Sequence, residues 1–176
     1  GTTPFGCQLQ GFIAVGTNTT WQTTDLSLRC GAQHYATVRA TNCAGLQRTV
    51  ASSAATLCCE PPLAGTVSLV DADGEQLNYI GIRSAWHANV SWSGFSDSCS
   101  GVRAYTVALM AADGALSNAT LWEVAQLASD VSHVRLPASA LLSVADGALL
   151  EVVVTATSHA GLQSSMNITV TVDRSP

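Results

Sequence analysis

A chain of 176 residues with 47% hydrophobic and 11% charged side chains supports a buried core and excludes wholesale disorder. Seven Arg, no Lys and twelve acids give a net charge of −5 with no basic run, which argues against nucleic acid or an anionic membrane surface as partner. No run approaches about eighteen uninterrupted apolar residues, so this segment is not expected to insert in a membrane, and its opening GTTPFGC lacks the features of a signal peptide; any secretion signal is expected outside this sequence.

In chain order, GFIAVGTN from Gly11 and LSLRC ending at Cys30 read as strands, followed by the strand and turn YATVRATNCAGLQ from Tyr35. This last segment recurs as EVVVTATSHAGLQ from Glu151: seven of thirteen positions match at an offset of 116 residues, and Cys43 is exchanged for His159. At CCEPPLAG, Pro61 and Pro62 interrupt any ladder and stiffen a linker, and the terminal DRSP holds the matching place one repeat later. We therefore divide the chain into residues 1–60 and 61–176.

The second part reads as seven strands: AGTVSLVD, ANVSWSG, VRAYTVALM, a segment around TLWEVAQ, SHVRLPA, LLEVVVTATS and MNITVTVD. Turn pairs at Asp73-Gly74, Asp113-Gly114, Asp146-Gly147 and Ala160-Gly161 punctuate them. Two stretches compete as helix: ATLWEVAQLASDVSHV, and PASALLSV, where Pro137 can open one helical turn. The fold class expected is all-β, with antiparallel β-sandwiches in tandem. Residues 1–60 hold equivalents of the later strands only and lack a counterpart of Trp92. Such a half-sandwich exposes its core face, so we expect the chain to continue before Gly1, as part of an array, or another chain to complete the sheet.

Six cysteines without a CxxC pair favour disulfides over zinc. Four of the six Asn residues, Asn18, Asn89, Asn118 and Asn167, stand in N-x-S/T sequons, where about one would fall by chance. Alternation turns Ala88, Val90 and Trp92 inward and His87, Asn89 and Ser91 outward. It likewise turns Met166, Ile168, Val170 and Val172 inward and Asn167 outward, while Asn18 and Asn118 fall in turns. Both signals predict an extracellular, N-glycosylated protein.

The segment VSWSGFSDSCSGVRAYTVAL followed by GALLEVVVTATSHAGL resembles a fibronectin type III-like repeat. In that family a Trp stands on the second strand, SG[VI]..Y leads the third, and the penultimate strand ends in V.A.N.AGL; YATVRATNCAGL matches the last element more closely. The W.GF.D..SG variant resembles modules of large extracellular glycoproteins of green algae and other flagellated protists, among them mastigoneme-type flagellar-hair proteins. The aromatic pair that usually leads the penultimate strand is replaced by His34-Tyr35 and Leu150-Glu151, so Leu150 is expected to pack as plain core.

The resemblance implies a cysteine scheme. Its loops before the third strand and between the last two share one pole, which would bring Cys7 to Cys43. With His159 in place of Cys43, Cys99 lacks that partner and faces the linker. Adjacent cysteines rarely bond each other, so we expect Cys30–Cys58 and Cys59–Cys99, with the swapped assignment as the alternative. Together with Pro61-Pro62, such bonds would make a semi-rigid rod.

Catalytic signals are sparse: the four His are scattered, and no G-x-S-x-G, HExxH or phosphate loop occurs. Neither an enzyme nor a cofactor is expected. Asp71, Asp73 and Glu75 resemble the start of a calcium loop without its remaining ligands and read better as a surface turn. Tyr35 and Trp122 read as packing residues before a sugar platform. The resulting expectation is a structural module of a cell-surface or flagellar filament, self-associating or joined to companion glycoproteins. An adhesion or ligand-binding ectodomain is the alternative, and an accessory module of a secreted carbohydrate-active enzyme a third.

Overall fold

The structure, a computed structural model, describes residues 1–81, 88–112 and 119–174; His87, Asn118 and the Asp113-Gly114 turn lie outside them. The chain forms two compact units, Gly1–Cys59 and Glu60–Pro176.

Unit 1 contains β1 (Gln33–His34), β2 (Thr37–Thr41), β3 (Gln47–Ala51) and β4 (Ala55–Thr56). They form two antiparallel pairs, β1 with β4 and β2 with β3. Residues 1–32 contain no strand, which corrects the reading of GFIAVGTN and LSLRC. In the first, Phe12 and Ile13 are consecutive apolar residues without the alternation a half-buried strand needs. In the second, Leu28 N–H donates to the Leu26 carbonyl, 3.1 Å, closing a tight turn where a strand would extend. The N-terminal segment instead folds back: Gly1 and Tyr35 exchange hydrogen bonds of 2.8 Å each, and Arg39 stacks its guanidinium 4.0 Å from the Phe12 ring centre.

Unit 2 contains β5 (Thr66–Val70), β6 (Tyr79–Gly81), β7 (Asn89–Ser93), β8 (Val102–Ala111), β9 (Thr120–Ala128), β10 (His133–Arg135), β11 (Leu149–Ser158) and β12 (Gln163–Asp173). One sheet has the order β10-β7-β5, the other β6-β12-β11-β8-β9. All pairings are antiparallel except β6 with β12. The seven sequence segments all hold strands, and TLWEVAQ forms β9, which removes it as a helix. A 3₁₀ turn, Ala138–Leu141, follows Pro137. Arg174 donates to the carbonyls of Leu141 and Leu142 at 2.8 and 2.9 Å, satisfying groups at its end.

The two sheets turn their alternating apolar residues to a single core, an arrangement compatible with a β-sandwich. Leu69, Val90 and Trp92 come from the smaller sheet; Ile80, Val107, Leu109, Leu150, Val152, Val154, Val170 and Val172 come from the larger. Full burial of a Val or Leu side chain contributes about 1.5–3 kcal/mol, so this alternation outweighs any local helix preference. Leu150 is plain core, as its sequence context predicts. Tyr105 stands between Trp92 and Phe95, ring centres at 5.4 and 5.8 Å, and burial raises its phenol pKa. Gly65 is buried where a side chain would strike the Ser93 carbonyl and the Phe95 amide, so only glycine fits this approach.

Candidate functional site: the cysteines, the repeated turn and the sequons

The repeated sequence folds twice into the same hairpin. β2 and β3 pair from Thr37↔Ala51 to Thr41↔Gln47, and β11 and β12 pair Val153↔Asn167 through Thr157↔Gln163, the same register displaced by 116 residues. In both turns the glycine has a positive φ, 76° at Gly45 and 82° at Gly161, which explains the shared AGLQ. Asn42 N–H donates to the Leu46 carbonyl at 3.0 Å, and Ser158 N–H to the Leu162 carbonyl at 2.9 Å.

The turns differ in how their inner amides are satisfied. Asn42 Oδ1 accepts from both Ala44 N–H and Leu46 N–H, at 3.0 and 2.9 Å, so that hairpin closes by itself. Ser158 Oγ accepts only from Leu162 N–H, 3.2 Å, and Ser100 Oγ in the β7–β8 loop accepts from Ala160 N–H, 3.1 Å. His159 N–H donates to the Gly101 carbonyl at 3.1 Å, a second tie to that loop. Asp97 organises the loop: its Oδ1 accepts from Cys99 N–H and Ser100 N–H, at 2.7 and 2.9 Å, and Ser100 Oγ lies 3.3 Å from its Oδ2. The Ser100 amide bond leads the effects that lower the Asp97 pKa. From the sequence, Asp97 before the third strand reads as a loop cap rather than a metal ligand, which these bonds bear out; the ties of Ser100 and Gly101 to the repeated turn were not identified, although D-x-x-S in SDSCSG is the signal of an Asx-type turn.

The cysteines depart from the expected scheme. Cys30 bonds Cys59 with a Cα separation of 5.6 Å, so Cys30–Cys58 and Cys59–Cys99 are both corrected. The register decides this: Gln33 faces Thr56 and His34 faces Ala55, and extending the antiparallel count brings Cys30 opposite Cys59. Leu57 N–H continues this register with a 3.3 Å bond to the Ala32 carbonyl. Cys58, one residue off in register, is not the residue opposite Cys30. Closing a sequence separation of 29 residues contributes about 3.5 kcal/mol in the chain-entropy model. Cys58 and Cys99 are disulfide-bonded as well.

Cys7 and Cys43 are free and exposed, which corrects their expected pairing. Gly6 packs against Gly1, and Gly1 pairs with Tyr35 just before β2; Cys43 lies in the turn beyond the other end of β2. A strand of that length spans about 16 Å, against the Cα separation of roughly 7 Å that a disulfide allows. Unit 1 is not the closed sandwich in which two such loops meet.

Asn18 and Asn167 are exposed and Asn89 is half-buried. Asn89 and Ser91 face away from Ala88, Val90 and Trp92, all buried, and Asn167 faces away from Val170 and Val172. The Asn167 amide donates to the Glu151 carboxylate. Asn89 thus belongs to the outer face of the smaller sheet and Asn167 to that of the larger.

Asp71 Oδ1 accepts from Asp73 N–H and Glu75 N–H, both at 2.9 Å, so its carboxylate closes the turn. Among the described residues, no group of three His, Cys, Asp or Glu side chains is placed to hold a metal ion. His34 is half-buried beside β4 of unit 1; in unit 2, His133 is exposed on β10 and His159 on the β11–β12 turn. Tyr35 and Trp122 are half-buried, and Trp122 packs against the core. No helix among the described residues is long and apolar enough to cross a membrane.

No protein-family model and no curated protein sequence matches this chain.

Proposed function

We propose that the chain is a structural segment of an extracellular, N-glycosylated tandem-repeat protein, with fibronectin type III-like modules held at their junction by disulfides in a cell-surface or flagellar filament. The observation that carries this reading is the oxidised Cys58-Cys59 pair at the boundary between the two units. Cys59 is committed to Cys30, and the remaining disulfide-bonded cysteines are Cys58 and Cys99. Cys58–Cys99, the swapped assignment of the sequence reading, is the second bond of this proposal. Disulfides favour an oxidising compartment, and the outward placement of Asn89 and Asn167 suits glycans. The strand order of unit 2, with one sheet of three strands and one of five, supports the fibronectin-like assignment.

A filament component repeats along its assembly, whereas a receptor ectodomain marks isolated points on a membrane. Immunogold electron microscopy of cells that express the protein, with an antibody to this segment, is expected to label filaments or stalks along their length. Label confined to isolated points on the membrane would overturn the structural role and favour an adhesion ectodomain.

A further inference from the structure

The amide nitrogen of Asn167, the atom to which an N-linked sugar is attached, donates to the carboxylate of Glu151 on the neighbouring strand. Both side chains stand on the outer face of the larger sheet. Val153 lies directly opposite Asn167, and Ala108 of β8 opposite Val153, so a low apolar row runs from the sequon across three strands. On one side of this row the Thr155 and Ser165 hydroxyls bond each other at 2.8 Å; on the other stands the Glu151 carboxylate. Glu151, Val153, Ser165, Met166 and Asn167 line a shallow groove of about 250 Å³. That is below the roughly 300–1,000 Å³ of pockets that hold whole small molecules, which suits a single sugar unit. β11 and β12 are each paired on both sides, so neighbouring strands of unit 2 hold the groove in place.

We propose that this groove seats the first N-acetylglucosamine of a glycan on Asn167. This placement rests on the N-glycosylation proposed above and adds where the sugar lies. Attachment joins Nδ2 to the anomeric carbon of the sugar as that carbon leaves a lipid diphosphate donor, and the displaced amide proton passes to solvent. The Glu151 carboxylate, an acceptor only, then meets the hydroxyls and acetamido N–H of the sugar, while the acetyl methyl packs on Val153. Ala108 adds a single methyl, so nothing along the row lifts the sugar off the sheet. Covalent attachment makes the contact intramolecular, at the high effective concentration of a short link, and a shallow groove therefore suffices. Asn18 offers the contrast: it is exposed in a strand-free segment, where a sugar is expected to move freely.

The test uses the full chain secreted from a eukaryotic host, with Asn18→Gln, Asn89→Gln and Asn118→Gln leaving Asn167 as the acceptor and an endoglycosidase trimming its glycan to one N-acetylglucosamine. Mass spectrometry establishes attachment. With isotope labels in the sugar and in the valine methyls, NMR is expected to show cross-peaks between the sugar acetyl and Val153, and an order parameter for the anomeric C–H bond above the flexible limit of about 0.6. Glu151→Ala is expected to bring that order parameter below the limit while the sugar stays attached. An attached sugar that lacks these cross-peaks, or that moves as freely in the native chain as in Glu151→Ala, overturns the seat alone and leaves the glycosylation standing. An unmodified Asn167 overturns both. The chain with every sequon intact, compared with Asn167→Gln, gives the same reading, so a folding failure of the triple variant still leaves the outcome decided.

Discussion

Ser100 Oγ accepts a 3.1 Å hydrogen bond from Ala160 N–H across a sequence separation of 60 residues. In the other hairpin Asn42 supplies the equivalent bond from within its own turn, to Ala44. The unit 2 turn thus depends on a neighbouring loop for one of its amides. Replacing Ser100 by Ala leaves that amide without its acceptor and removes the contact to Asp97. A net loss of about 1 kcal/mol is expected, read as a lower denaturant midpoint of unit 2 with an unchanged slope. The equivalent change in unit 1, Asn42→Ala, is expected to leave that midpoint unaffected.

The same loop gives an acid dependence. Amide hydrogen bonds, first that of Ser100, hold the folded-state pKa of Asp97 below its ordinary value of 3.8. A depressed carboxylate contributes stability above its unfolded pKa and loses it as pH falls through the folded value. In thermal melts between about pH 5 and about pH 2, the native chain is expected to lose more stability below its ordinary carboxylate range than Asp97→Asn does. Equal acid sensitivity of the two would show that the Asp97 bonds do not contribute.

Gly65 tests the close approach in the core. A Cβ there would meet backbone atoms of Ser93 and Phe95, which cannot rotate away as a side chain could. Gly65→Ala is therefore expected to destabilise unit 2 by about 1–3 kcal/mol, measured by denaturant unfolding. Gly74→Ala, in a turn with no atom near the added carbon but with a φ of 87°, isolates backbone strain from collision.

Glycan placement follows from the sheets. Expression through a secretory pathway is expected to add glycans at Asn89 and Asn167, seen as mass shifts removed by an N-glycosidase and reduced in Asn89→Gln and Asn167→Gln. Attachment at Asn167 must also release its bond to Glu151, so Glu151→Ala is expected to leave occupancy equal or higher. An unmodified Asn167 on a secreted chain would count against this placement.

The strands of unit 2 were legible because long alternating runs such as LLEVVVTATS carry a period that burial reinforces at every second residue. Tyr79–Gly81 was missed, since three residues show no period and the strand is defined by its parallel pairing to β12. In unit 1 the repeat located the β2–β3 hairpin, yet carrying the whole module over failed, because GFIAVGTN lacks alternation. The choice of Cys59 over Cys58 depends on a one-residue register in a two-residue ladder, and that register becomes readable only once Gln33 is seen opposite Thr56. The ties of Asp97 and Ser100 to the repeated turn are long-range contacts that an Asx-turn motif announces only at one end.

Non-reducing peptide mapping of the purified chain, alkylated before digestion, tests the central claim most directly. The account predicts a Cys30–Cys59 peptide, a Cys58–Cys99 peptide, and alkylated Cys7 and Cys43. A Cys30–Cys58 or Cys7–Cys43 peptide, or free thiols at Cys58 and Cys99, would contradict the disulfide-held junction.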